Sequence, residues 1–411
     1  MTDPSDTQQV PRPRAAWYLL GTTVILIALL GVGATLGRPA AVVHPSPIAS
    51  AAVVIAGATA APITSPAPPA PASSAIPATS TTATLPPAET AVPASKPTPT
   101  PRPAPTPTPT GLVPPSIDAT GASDASAALI AFLRTVPDGS TIVFKAGGTY
   151  RMDSALRFSQ RHNLTFEGNG ATLKASGGTS EASSLIWVAD GSGITIRDFR
   201  LVGNSTTPGV YQGGREGAHG ILVDGSRNVQ VANVTVSGVW GDCFYVGSWA
   251  DGVWIHDSTC QSSGRNGVTI TAGQNVTVER VAFPKSGYCT FDAEPNFSSE
   301  GATNITFRNN TAGTYGLDFA AVEGSHTGAT IDGITISGNT ITGKTMYTVI
   351  DNGGTSRMRD IAFTDNKSSV AGRGPILIFA YIDGLAVTGN VQPLTSGPLA
   401  RVTDSTGVTG P

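Results

Sequence analysis

The chain has 411 residues, among them 48 Gly and 32 Pro, only 13% charged positions and a formal net charge of -3. So few charges, slightly acidic in balance, provide no basic field for a nucleic-acid backbone, which excludes nucleic-acid binding as a first assignment. The 40% apolar fraction does not measure a core, because an anchor-like segment and Ala-rich stretches both inflate it.

In chain order, residues 1–14 precede an uncharged apolar block, AAWYLLGTTVILIALLGVGATL at 15–36. A helix of that length crosses roughly 30 Å of hydrocarbon. Arg12 and Arg14 lie before the block and Arg38 follows it, so the positive-inside bias predicts a cytoplasmic tail, a single membrane span and an extracellular remainder. A signal peptide cleaved near Val32 and Ala34 is the alternative, although the block exceeds the usual signal core. Residues 37–115 hold roughly two-thirds of the prolines, interleaved with Ala, Ser and Thr and ending near PTPTPRPAPTPTPT. That composition predicts a disordered, polyproline-like linker reaching on the order of 200 Å. Its Ser and Thr density also suits O-glycosylation.

From 116 to 400 the sequence changes to short Val, Ile, Phe and Thr strands broken by Gly and Asn, with residues 401–411 left as a tail. One helix is expected first: Asp124 is placed to cap it, Ala128, Leu129, Phe132, Leu133 and Val136 recur at helical spacing, and Pro137-Asp138-Gly139 ends it. Beyond it a unit recurs whose first apolar residues are Val229, Val253, Val276, Ile305, Ile334, Ile361 and Leu385, at steps of 24, 23, 29, 29, 27 and 24 residues. NLTFEGNGATL (163–173) and GITIRDFRLVG (193–203) fit the same template. Units this short cannot bury their own apolar face and must stack, as in a parallel β-helix. The sequons at Asn163, Asn233, Asn275 and Asn304 are read as turn Asn followed by strand Thr rather than as glycosylation sites.

The segment ATGASDASAALIAFLRTVPDGSTIVFKAGGTYRM (119–152) resembles the start of pectin-lyase-like right-handed β-helix proteins, and GDCFYVG (241–247), GRNGVTI (264–270) and CTFDAEPN (289–296) resemble strand ends of secreted bacterial β-helix proteins. The resemblance covers about 116–395. It implies an all-β, right-handed single-stranded parallel β-helix with an N-terminal capping helix, processing a polysaccharide. The triplets at Ala218-His219-Gly220 and Gly241-Asp242-Cys243 are similar to polygalacturonase motifs, but in the opposite order. Cys243 also stands where that motif has a second aspartate, and no Arg-Ile-Lys follows, so polygalacturonase activity itself is not implied.

Side chains alternate along a strand and neighbouring coils lie about 4.8 Å apart. With Phe244, Val246, Val268, Ile270, Phe291, Ala293, Leu317 and Phe319 inward, Tyr245, Thr269, Asp292 and Asp318 are expected in one outward column. Glu294 follows on that face, and Asp242 and Arg265 lie at the preceding turn. Carboxylates so close need a raised pKa, a bound Ca²⁺ or an arginine. Each outcome suits a polysaccharide lyase, hydrolase or epimerase. Asp242, Arg265, Asp292, Glu294, Asp318 and His219 are therefore the candidate catalytic residues, with Asp292 and Asp318 as candidate Ca²⁺ ligands. Trp240, Tyr245, Trp249, Trp254 and Arg215 are candidate contacts to sugar. A non-catalytic adhesin or wall-binding rod is the rival, in which exposed acids only keep the sheet soluble. The three cysteines predict no disulfide: Cys260 is read as an inward thiol, and Cys243 and Cys289 as two coils apart and out of bridging range.

Overall fold

A computed structural model describes residues 110–177, 184–323, 328–355 and 358–410. The expected cytoplasmic tail, the span at 15–36 and the linker up to residue 109 lie outside the described residues. Among the described residues, no helix is long and apolar enough to cross a membrane.

The chain winds through three parallel sheets. The first has twelve strands, from Thr110–Leu112 to Thr406–Thr409; the second has ten, from Thr120–Asp124 to Lys367–Ser368; the third has ten, from Leu156–Ser159 to Ala400–Thr403. Each sheet takes one strand from each successive coil, so the polypeptide visits the third, first and second sheets in turn. The seven apolar repeat positions stack in register: Val229 pairs with Val253, Val276 with Ile305, Ile305 with Ile334, Ile334 with Ile361, and Ile361 with Leu385. Val253 falls opposite Val276 through the pairing of Trp254 with Thr277. Pairing also continues past both expected limits. Thr110–Leu112 pairs with Thr141–Val143 before residue 116, and strands 400–403 and 406–409 extend the sheets into the expected tail.

Corners decide where Gly and Asn occur. A bend immediately before the stacked apolar residue places Asn228, Asn275, Asn304 and Asp360 at φ 52, 55, 51 and 49°, with Gly252, Gly333 and Gly384 at 69, 68 and 77° in the equivalent positions. This left-handed region is costly for most L-residues and accessible to Gly, Asn and Asp. All four sequon asparagines named above sit in it, at φ between 51 and 55°, which gives them a structural cause. At the next corner a buried ladder forms: the Oδ1 atoms of Asn339, Asn366 and Asn390 accept the backbone N–H of Asn310, Asn339 and Asn366 at 2.9, 3.1 and 3.0 Å. The interior is apolar, with Phe283, Phe307, Phe319, Phe363 and Phe379 running along it at centroid separations of 5.7, 6.1, 6.4 and 5.9 Å.

The expected helix spans Ser126–Thr135 and buries Leu129 and Leu133. Its N-cap is Ala125 rather than Asp124; Asp124 ends a strand and its Oδ1 accepts the N–H and hydroxyl of Ser126 at 3.0 and 2.6 Å. The cysteines correct the sequence expectation. Cys243 and Cys260 form a disulfide with Cα atoms 5.7 Å apart, and Cys289 is a buried free thiol. Alternation fails at the turn into the strand, so Cys243 and Phe244 are both buried. Cys243 thereby meets Cys260 within its own coil, a pairing that comparison with Cys289 alone overlooks.

Candidate active site on the outer face of the third sheet

Three rows of side chains run across the outer face of the third sheet, one residue per coil. The middle row runs through Leu222, Tyr245, Thr269, Asp292, Ala321 and Val349, continuing to Trp187 and Arg157 at one end and to Ile378 and Arg401 at the other. Two residues further along each strand, backbone hydrogen bonds align Glu294, Glu323 and Asp351. At the turn before the strands, the bonds Gly220 N–H to Asp242, Cys243 N–H to Asn266, Gly267 N–H to Cys289 and Thr290 N–H to Asp318 align His219, Asp242, Asn266, Cys289 and Asp318.

Asp318 is therefore not in the column of Asp292, which corrects the expected register. The strand is Ala320–Val322, and Ala321 stands opposite Asp292. Phe319 and Ala320 are both buried, the same break in alternation seen at Cys243, and it shifts Asp318 back to the turn row. Tyr245, Thr269 and Asp292 share a column as expected.

Asp242 is fully buried. Its Oδ1 accepts the Asn266 N–H at 2.7 Å, and its Oδ2 lies 3.2 Å from Arg265 Nη1. Burial pushes the Asp242 carboxyl up, while Arg265 and the Asn266 N–H oppose this. Arg265 also forms an ion pair with Glu294 through Nη2, so its guanidinium bridges two carboxylates. His219 lies below Asp242, its ring stacked on Tyr245 with centroids 4.6 Å apart. Its Nδ1 accepts the Asp242 N–H at 3.2 Å. Burial, reinforced by Arg265, lowers its pKa from 6.5 to about 3. Burial thus favours the neutral imidazole, whose Nδ1 also lies 3.5 Å from Asp242 Oδ2.

Asn266, not anticipated from the sequence, joins the rows. Its Nδ2 donates to Thr269 Oγ1 and to Asp292 Oδ2, both at 3.0 Å, and its Oδ1 accepts the Cys289 N–H at 2.9 Å. The available signal was its place in GRNGVTI, aligned with His219 and Asp242 at the same turn. Asp292 is 1% exposed, and its Oδ1 is buried without a hydrogen-bond partner. Burial, then the charges of Glu294 and Glu323, push its carboxyl well above the usual carboxylate range against the pull of Arg265. Glu294 is more accessible, with 19% of its side chain exposed. Burial raises its carboxyl as well, and the Arg265 guanidinium only partly offsets that rise.

Asp318 has its own surroundings. Its charge favours the protonated form of Lys344, against a larger lowering by burial, and the Lys344 Nζ donates to the carbonyls of Tyr315 and Gly316 at 2.8 and 3.2 Å. Among the described residues, no three His, Cys, Asp or Glu side chains converge as metal donors. The cation between Asp242 and Glu294 is Arg265, and Asp292 and Asp318, the expected Ca²⁺ ligands, stand in different rows.

The aromatic candidates separate. Trp240 is buried, with the Arg215 guanidinium 4.2 Å from its ring centroid. Trp249 is 40% exposed at the corner after the third sheet, where its Nε1 donates to the Ser299 carbonyl at 2.7 Å. Trp254 lies on the first sheet, away from the carboxylates; it stacks on His256 and donates to Glu279 Oε1 at 3.1 Å. The segment 205–217 packs along the turn row. A Cβ at Gly241 would strike the Glu216 carbonyl, and one at Gly287 would come within 2.9 Å of the Tyr211 nitrogen; the glycines permit that close approach.

No family model and no curated protein matches the sequence. Similar solved structures exist at low identity. A family 28 exopolygalacturonase from Yersinia enterocolitica aligns at TM-score 0.52 and 13% identity, covering 74% of this chain and 79% of the other. A point mutant of DFA-IIIase from Arthrobacter chlorophenolicus A6, in complex with DFA-III, aligns at 0.52 and 13%, covering 73% and 82%. The Dettilon tailspike protein aligns at 0.48 and 13%; 72% of this chain spans 59% of that one. Three parallel sheets in register give the described chain the fold of a right-handed parallel β-helix, the fold it shares with the exopolygalacturonase and the DFA-IIIase.

Proposed function

We propose that the protein is a glycoside hydrolase of the cell exterior, held to a membrane by residues 15–36 and reaching its polysaccharide through the proline-rich segment. The observation that carries the catalytic assignment is the unequal pair on one strand. Asp292 is buried with an unpartnered Oδ1 and a strongly raised pKa, whereas Glu294 faces Arg265. Environments that push two carboxyl groups apart assign acid and base.

Two residues along a strand rise about 6.6 Å at the backbone, a start compatible with the carboxyl separation of roughly 6.5 to 9.5 Å that leaves room for water in an inverting glycosidase. Asp292 donates its proton to the glycosidic oxygen as the bond to the anomeric carbon breaks. Glu294 takes a proton from the water whose oxygen forms the new bond. Asn266 orients Asp292, Arg265 favours the ionised form of Glu294 against its burial, and Asp242 anchors Arg265. The near-complete burial of Asp292 requires its cover to open for substrate, and the segment 205–217 is the proposed mobile part. Likeness in fold to an exopolygalacturonase supports a polysaccharide substrate.

Asp292→Asn is expected to lower kcat by at least about 100-fold, the usual scale of general-acid catalysis, while the folded state persists. New reducing ends of inverted configuration should appear with the parent protein. Unsaturated products would instead indicate a lyase, and glycan binding without turnover would favour the wall-binding module.

A further inference from the structure

Resting on the proposed hydrolase site, we infer that this face takes a glycan whose sugar units carry no carboxylate. A uronate-binding site needs a cation available to the substrate beside the reacting bond, and the exposed Arg157 and Arg401 stand five and four coils from Asp292 along its row. Here the Arg265 guanidinium is engaged on both sides, by Asp242 and by Glu294. The Lys344 ammonium is held by two carbonyls beside Asp318. The Arg215 guanidinium lies over Trp240, and the Lys285 Nζ donates to the Pro208 carbonyl at 3.2 Å. Against these, Glu294, itself paired with Arg265, Glu323 and Asp351 stand on successive coils, about 4.8 Å apart.

An added substrate carboxylate along that row would meet like charges at close range in a partly desolvated setting, where Coulomb repulsion is least screened. An uncharged sugar brings the opposite complement. Its hydroxyl groups donate to carboxylates, and its C–H faces stack on aromatic rings. The ends of the row provide such rings: Tyr211 and Tyr288, 5.2 Å apart, on the turn side, and Trp249 and Phe297, 40% and 50% exposed, at the far corner. The buried, unpartnered Asp292 Oδ1 lies on the same face and lacks the partner that a sugar hydroxyl or glycosidic oxygen would supply.

The test is retention of the full-length protein on immobilised β-1,4-galactan, arabinan and inulin, against polygalacturonate and alginate, at about 0.15 M salt. Retention on at least one uncharged glycan and on neither carboxylated one is expected. Glu323→Lys is expected to raise retention on polygalacturonate at least tenfold. Retention of the parent protein on polygalacturonate or alginate overturns the inference and leaves the acid and base assignment standing. Retention on an uncharged glycan without turnover supports the inference and defeats the hydrolase assignment. Retention on neither class defeats both.

Discussion

Two nearly buried carboxyl groups, Glu279 on the outer face of the first sheet and Asp292 on that of the third, are 5% and 1% exposed yet reach opposite ends. Burial pushes Glu279 up, but hydrogen bonds from Arg280, Arg308 and Trp254 outweigh it and its pKa is lowered. Asp292 receives one side-chain hydrogen bond, from Asn266, and has acidic neighbours, so burial wins. The first sheet's outer face is otherwise plain, with Thr277, Thr306, Thr335, Ala362 and Ala386 in one row. The same backbone repeat thus carries a face of compensated buried charge and a face of uncompensated buried charge, and the second is the proposed reactive face.

Arg265→Ala should break that comparison most strongly. It leaves Asp242, fully buried, without its cation, and such a loss destabilises by about 3 to 5 kcal/mol. Arg308→Ala removes a half-exposed guanidinium from a Glu279 that keeps Arg280, and should cost less than about 1 kcal/mol. Denaturant titration of both variants makes the comparison, and equal losses would refute it.

Next in size is the corner ladder, which belongs to the repeat and not to the site. Asn339→Ala removes the acceptor for the Asn310 N–H and a donor to the Phe307 carbonyl. A loss of about 2 kcal/mol is expected, in keeping with a buried group left unsatisfied, with turnover per folded molecule unchanged. Reduced turnover would tie the ladder to the site.

A further test lies in the pH dependence of stability, where the effect per pH unit is modest. His219 has a folded pKa of about 3 against 6.5 unperturbed, so between these values the unfolded chain binds a proton that the folded one refuses. Its contribution is fully present above about pH 6.5 and is lost as pH falls through that window, at up to about 1.4 kcal/mol per pH unit. His219→Gln should flatten this acid limb; an unchanged slope would show that His219 is not held neutral. Asp292 acts with the opposite sign, its raised pKa favouring the fold at low pH and losing that benefit as pH rises.

Much of the architecture was legible because stacking demands periodicity: Val229 to Leu385 fall in register at the spacing read from the sequence. Tyr245, Thr269 and Asp292 followed from strand alternation. Alternation does not survive a turn, and that is where expectation failed. Cys243 and Phe319 turn inward beside an inward neighbour, which produced the missed disulfide and the misplaced Asp318. Asn266 was missed because a turn asparagine looks ordinary until its amide is seen between Thr269 and Asp292. Trp254 was read as outward, correctly, but outwardness alone does not say on which of three sheets.

Protonation of Asp292 is the point on which the reactive face depends most directly. Titration of the aspartate carboxyl carbons by ¹³C NMR, in the parent protein and in Asp292→Asn, should show one resonance that changes well above the usual carboxylate range and disappears in the variant. If the Asp292 carboxyl is instead ionised with the ordinary surface carboxylates, the assignment of Asp292 as the proton donor is contradicted.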